Sequence, residues 1–345
     1  MVTIAGVDHC VIVRRRLSST MATNAKSKTS PKKKKKGKKR TPFRETPWFK
    51  LVWIVPLLVV VLGIGVLLSR WFLGAPTGQE FLASYSGHSD LPEGAPEGFP
   101  WWMQWQHYFN FFLIILIIRS GWMVRTQTKP EAYWTRNNTD RFKTKKPPTK
   151  MSLYLWLHLS LDVLWVLNGL IFVILLFSTG HWMRVVPTSW DIFPHAISAG
   201  LQYLSLDWPL ETAWTNYNAM QVLAYFVTIF IAAPLAAITG IRISPVWSSE
   251  WKVSRFYPAS LARTIHLLVM FYFVLFIFVH VVLVFTTGMR HNLNMMFSWV
   301  GDNGESWWGF VIFAVSLIIV AAGWILARPI FMSAAAQLTG KVTTR

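Results

Sequence analysis

The chain is poor in nearly everything a water-soluble domain of its length relies on. Charged residues make up only 14%, against about a quarter in ordinary globular domains. There is one cysteine, Cys10. That excludes a disulfide framework, an iron–sulfur cluster held by this chain and a covalent C-x-x-C-H haem attachment. Any redox cofactor must therefore be held by something other than sulfur. The sequence also lacks a phosphate-binding loop, a nucleophile motif, a pair of catalytic carboxylates and an internal repeat. The segment Leu73–Met103 has no lysine or arginine.

What the chain does have is apolar bulk: 53% hydrophobic residues, with 20 Trp and 24 Phe. These fall into six runs, Leu51–Phe72, Trp105–Val124, Leu153–Phe177, Tyr217–Ile241, Leu261–Phe285 and Trp307–Ala327. Each is about as long as a helix needs to cross a bilayer. The expected fold is an all-α membrane protein with six transmembrane helices. The expected organisation is a basic tail over 1–46, a transmembrane domain over 47–330 and a short tail over 331–345.

The net charge of +19 is unevenly spread. Lysine and arginine crowd Lys26–Arg40 and Arg125–Lys150, with Arg242, Lys252 and Arg255 in the connection between spans four and five. The alternate connections hold only Arg184 and Arg290. The positive-inside rule then puts both termini in the cytoplasm. Tryptophans such as Trp101, Trp102, Trp307 and Trp308 mark span ends, where an aromatic ring with one polar edge is comfortable. On a polytopic membrane protein the lysine run reads as an arm lying against anionic membrane lipid, at about 1 kcal/mol per lysine, and not as a nucleic-acid site.

Four histidines lie inside the spans. His266 and His280 are fourteen residues apart on the fifth, nearly four full turns, so they share a helix face about 21 Å apart. Pro258 and Gly288 bound that helix, and each histidine sits about 12 Å inside one boundary. His107 follows Pro100 by about 10 Å on the inward-running second span, at the outer level. His158 starts the outward-running third span after Pro147 and Pro148, at the inner level. Topology and rise per residue alone thus sort the four into two pairs, His107 with His280 and His158 with His266. Ionisable groups in spans are costly and mark function. Two imidazoles on opposite faces of a haem fill both axial positions and leave an electron-transfer centre. Zinc fits less well, since the pairs are far apart and offer no cysteine. The expectation is two b-type haems.

Other polar groups are read with their alternatives. Asp162, one turn past His158, can orient that ring through its Nδ1–H, carry protons, or pair with Arg119. Arg263, one turn before His266, can neutralise a haem propionate or anchor the helix end. Asn110, Asn168 and Asn218 read as glue between helices. His88, His181, His195 and His291 can contact quinone, haem propionate or a partner protein, but read better as solvated surface; His181 is the rival to His107 as an outer ligand, though it lies past the Gly180 stop. Three spans end in Thr-Gly, at Gly180, Gly240 and Gly288, where glycine lets the chain leave the helix. Arg184 and Arg290, alone in the outer connections, read as functional.

The chain also resembles the membrane cytochrome b subunits of bacterial molybdopterin enzymes, of the thiosulfate reductase and formate dehydrogenase type. These share a superfamily with the cytochrome b of nickel–iron hydrogenase. The likeness runs over roughly Phe99 to Phe331. It is carried by "WQHYFNFFLIILIIRSG", "LNGLIFVILLFSTGHWMRVVPTSW", "YNAMQVLAYFVTIFIAAPLAAITGIRISP" and "ARTIHLLVMFYFVLFIFVHVVLVFTTG". It implies a four-helix core, helices two to five, that binds two b haems, exchanges electrons with quinone and docks a catalytic, molybdopterin-containing subunit. Helices one and six are then additions, and the location is a bacterial cytoplasmic membrane. The competing expectation is a haem-free transporter or assembly protein whose histidines carry protons or metal ions; such proteins favour broken helices around a midplane site.

Overall fold

The computed structural model describes residues 44, 47–139, 143, 147–208, 213–248, 250–301 and 304–345. The lysine-rich arm lies outside them. The chain divides into two units, 1–57 and 58–345. In the first, a 3₁₀ turn over Pro47–Lys50 precedes the start of helix α1 (Leu51–Gly74). The account below concerns the second.

Among the described residues six helical stretches are long and apolar enough to cross a membrane. They are α1, α3 (Trp101–Thr126), α4 (Leu153–Ser178), a fourth over Ala219–Ile243, α9 (Ala259–Thr286) and α11 (Trp308–Leu326). Shorter helices lie at their ends: α2 (Pro76–Ser84), α5 (Ile192–Leu204), α8 (Val253–Phe256), α10 (Met289–Phe297) and α12 (Pro329–Gln337). The protein is an all-α membrane protein, as expected.

The fourth span is not one regular helix. It consists of α6 (Ala219–Phe226), a π-helical stretch over Val227–Ala232 and α7 (Ala233–Ile243). The cause is Pro234. Its ring has no N–H to give and crowds the carbonyl four residues back, so the preceding turns widen. Asn218 begins this span as an N-cap, accepting from the Gln221 amide while Gln221 returns a bond to Asn218 N. It also donates to the Tyr203 hydroxyl. Asn218 is therefore a helix cap, and Asn110 is the glue the sequence suggests, accepting from Trp165 Nε1 at 2.7 Å.

The two ends of the spans differ. At the basic end a three-stranded antiparallel sheet forms, of order β2–β1–β3, from β1 (Ala132–Arg136), β2 (Met151–Ser152) and β3 (Gly340–Thr344). Trp134 Nε1 donates to Ala336 O beneath it. In the short tail 331–345, α12 and β3 fasten the C-terminal residues to the α3–α4 connection.

At the acidic end the connections fold over one another. Gly98 N donates to Trp214 O, Ala219 N to Gly87 O, and the Ser89 hydroxyl to Asp191 Oδ1. The Ser89 and Ser189 hydroxyls hold the Asp191 carboxyl below its usual range. Gln104 donates to Met295 O and Ser298 O, tying α10 to α3. Beneath lies the largest apolar cluster, with Phe99, Trp102, Met103, Leu176, Tyr217 and Met295 buried together.

Candidate functional site

The structure brings the four intramembrane histidines together two by two, as topology predicts. His107 on α3 faces His280 on α9 with ring centres 6.3 Å apart. His158 on α4 faces His266 on α9, also at 6.3 Å. A metal–imidazole bond of about 2 Å, with about 1 Å more to the ring centre, puts two rings on one metal about 6 Å apart. Both pairs fit that spacing. Between the two levels Trp165 meets Phe273 edge-on at 6.0 Å, among Ile114, Ala232 and Val269.

The rings of the basic-end pair are held by hydroxyls. Ser120 Oγ lies 3.1 Å from His158 Nδ1 and donates its own proton to Ile117 O. The Ile117 carbonyl is itself 3.2 Å from that nitrogen. Thr239 Oγ1 lies 2.8 Å from His266 Nδ1 and donates to Leu235 O. Each hydroxyl has committed its hydrogen, so it can only accept from the imidazole. Both rings are thereby set with Nδ1 protonated and the Nε2 lone pair directed elsewhere, the arrangement metal-ligating histidines adopt.

A glycine stands beside each hydroxyl, and Gly121 makes room: a Cβ there would come within 2.9 Å of His158 Cε1, whereas one on Gly240 would meet His266 Cε1 at an ordinary 3.5 Å. The sequence reads Gly240 as a helix exit. The structure corrects this: α7 continues to Ile243, and Thr239 serves His266. Gly180 and Gly288 do leave the helix, with φ of 78° and 124°.

Asp162 is placed differently from two of its three sequence expectations. Its carboxylate lies 3.7 Å from His158 Nε2, not at Nδ1. It does not orient the ring through Nδ1; Ser120 and Ile117 hold that nitrogen. Nor is it paired with Arg119, whose Nη1 donates to Ala327 O at 2.6 Å while the guanidinium covers Trp324. The Arg263 side chain is exposed.

The acidic-end pair is packed by aromatics. His280 stacks on Phe276 with ring planes 5° apart, and His107 meets Phe297 edge-on. The buried Nδ1 of His107 has no hydrogen-bond partner among the described residues.

Above this pair the structure reverses one reading. His181 is not solvated surface but 6% exposed, edge-on to Trp102 at 5.5 Å. Burial, and then the neighbouring Arg184 charge, push its pKa below the ordinary histidine value. Arg184 is 1% exposed. Its Nη1 donates to Gly98 O at 2.6 Å and its Nη2 to Ala213 O and Trp214 O. The guanidinium lies over Tyr217 and Phe99. It clasps two connections together from within, a role no linear spacing advertises. His195 accepts from Gly87 N at Nδ1. Arg290 lies over Trp307 and reaches Glu305 O.

No curated protein and no solved structure matches the chain. A family model does, described as prokaryotic cytochrome b561, over residues 98–299. That range takes in all four paired histidines, the hydroxyl–glycine pairs beside two of them and the connections above the other two. The chain is thus a multi-pass member of the prokaryotic cytochrome b561 family, whose members carry electrons in the membrane on b-type haem.

Proposed function

We propose that this chain is a two-haem electron-transfer subunit linking the quinone pool to a partner oxidoreductase. His107 and His280 hold one haem b at the acidic end; His158 and His266 hold the other at the basic end. The observation that carries this reading is the repeated 6.3 Å facing of imidazoles at two depths. Bound haem supplies one-electron chemistry. The protein's residues do the rest. Ser120, Ile117 O and Thr239 fix the basic-end rings, while Gly121 leaves His158 space. Trp165 and Phe273 fill the interval between levels and exclude water. The partner is a separate catalytic subunit, which the resemblance makes a molybdopterin enzyme of the thiosulfate reductase or formate dehydrogenase type.

The test is spectroscopic. Purified protein reduced with dithionite is expected to show about two b-type haems per chain. His280→Ala is expected to lose one and keep the other. Loss of both, or of neither, would break the pairing. A chain that folds without haem would favour proton carriage instead, which the His158–Asp162 contact would then serve.

A further inference from the structure

Among the described residues two buried nitrogens above the acidic-end pair are left without partners: His181 Nε2 and Arg184 Nε. Their chemistry is complementary. Thr179 Oγ1 donates to Leu175 O and lies 2.9 Å from His181 Nδ1, so it accepts that ring's proton. His181 Nε2 is then a bare lone pair that needs a donor. Arg184 Nε–H is a donor only, and it needs an acceptor. Both belong to the single 3₁₀ turn His181–Arg184. In such a turn, side chains three residues apart are eclipsed. An unmatched buried polar atom is costly, and here two stand on one turn.

A carboxylate would satisfy the arginine and repel the lone pair. A hydroxyl satisfies both, donating to Nε2 and accepting from Nε–H. The surroundings are flat and apolar: Trp102 edge-on to His181, and Phe99 and Tyr217 against the guanidinium. Trp102 stands five residues before His107 on α3, about 7.5 Å along the axis. We propose that His181 and Arg184 bind the phenolic hydroxyl of a hydroquinone. The quinol site then lies at the acidic end, beside the His107–His280 pair. This rests on the electron-transfer reading for the identity of the ligand, but the site itself stands on the two unpartnered nitrogens.

The experiment measures equilibrium binding of a tritiated short-chain benzoquinol to the purified full chain in lipid nanodiscs, with haem content recorded on the same samples. His181→Leu removes the lone pair without adding charge and is expected to weaken binding at least tenfold, with haem stoichiometry and spectrum unchanged. His181→Gln restores an acceptor and is expected to recover much of the loss. Wild-type affinity in His181→Leu overturns the proposal and leaves a bridging water as the occupant. Loss of haem in that variant also overturns it, making His181 part of the haem site. No quinol binding by a chain that carries both haems sinks the quinol site while leaving the electron-transfer reading intact. Absence of haem from the wild type sinks that reading instead, and binding by the haem-free chain still decides the site.

Discussion

The smallest decisive feature is the hydroxyl beside each basic-end histidine. Ser120 on α3 and Thr239 on α7 do one job twice, taking the proton of an imidazole Nδ1, and Gly121 beside the first admits its ring. Gly121→Val is expected to displace His158, since even a Cβ there meets the ring at 2.9 Å. On the two-haem proposal, haem analysis should then find one haem per chain. Thr239→Val keeps the shape and removes the acceptor. Loss of such a partner typically weakens metal binding 10–100-fold. It also makes the imidazole a poorer electron donor, which favours reduced iron. Redox titration should therefore show one midpoint moving upward and the other unmoved. Ser120 does not stand out in sequence, and Thr239 reads there only as part of a helix exit. In an apolar span the register between helices decides which hydroxyl meets which histidine, and a single helix's periodicity does not encode it. The histidines themselves were legible, because four ionisable rings in hydrocarbon have no cheap explanation and depth alone sorts them.

At the scale of elements, the six spans could be read from length and apolar content, and their interruptions could not. Pro234 is visible in the sequence, but the π stretch before it depends on how the neighbouring turns recover their hydrogen bonds. The polar ends were harder still. Asn294 illustrates why. It is fully buried on α10, donates to Ser306 O and accepts from Gly309 N. It thus satisfies one of the orphan amides at the start of α11, where a Cβ on Gly309 would strike the α10 backbone at 2.4 Å. Its partners lie up to fifteen residues away, across a connection that reads only as polar. Asn294→Ala leaves a buried N–H and carbonyl unmatched and is expected to cost about 2 kcal/mol. The measurement is the thermal midpoint of the purified protein in detergent, which should fall while haem stoichiometry holds.

Taken whole, the molecule is asymmetric across the membrane, and the asymmetry bears on function. The basic end carries the lysine- and arginine-rich connections and the small sheet that joins Ala132–Arg136 to Gly340–Thr344. The acidic end carries the folded connections, the Arg184 clasp and the free nitrogens of His181 and Arg184. Charge alone assigns the basic end to the cytoplasm, and the pairing of β3 with β1 places the C-terminal residues at the same end. Quinol bound beside His181 would then be met from the outside. Cys10 is the sole cysteine, so a Cys10→Ser chain is a clean background for single reporters. Asp90 and Lys341 are both exposed, at opposite ends. In intact cells a membrane-impermeant maleimide is expected to label Asp90→Cys and to spare Lys341→Cys until the membrane is permeabilised. The reverse pattern would turn the molecule over. The quinol site would then face the cytoplasm, and the charge bias that so plainly marks the connections would have to be explained by something other than insertion.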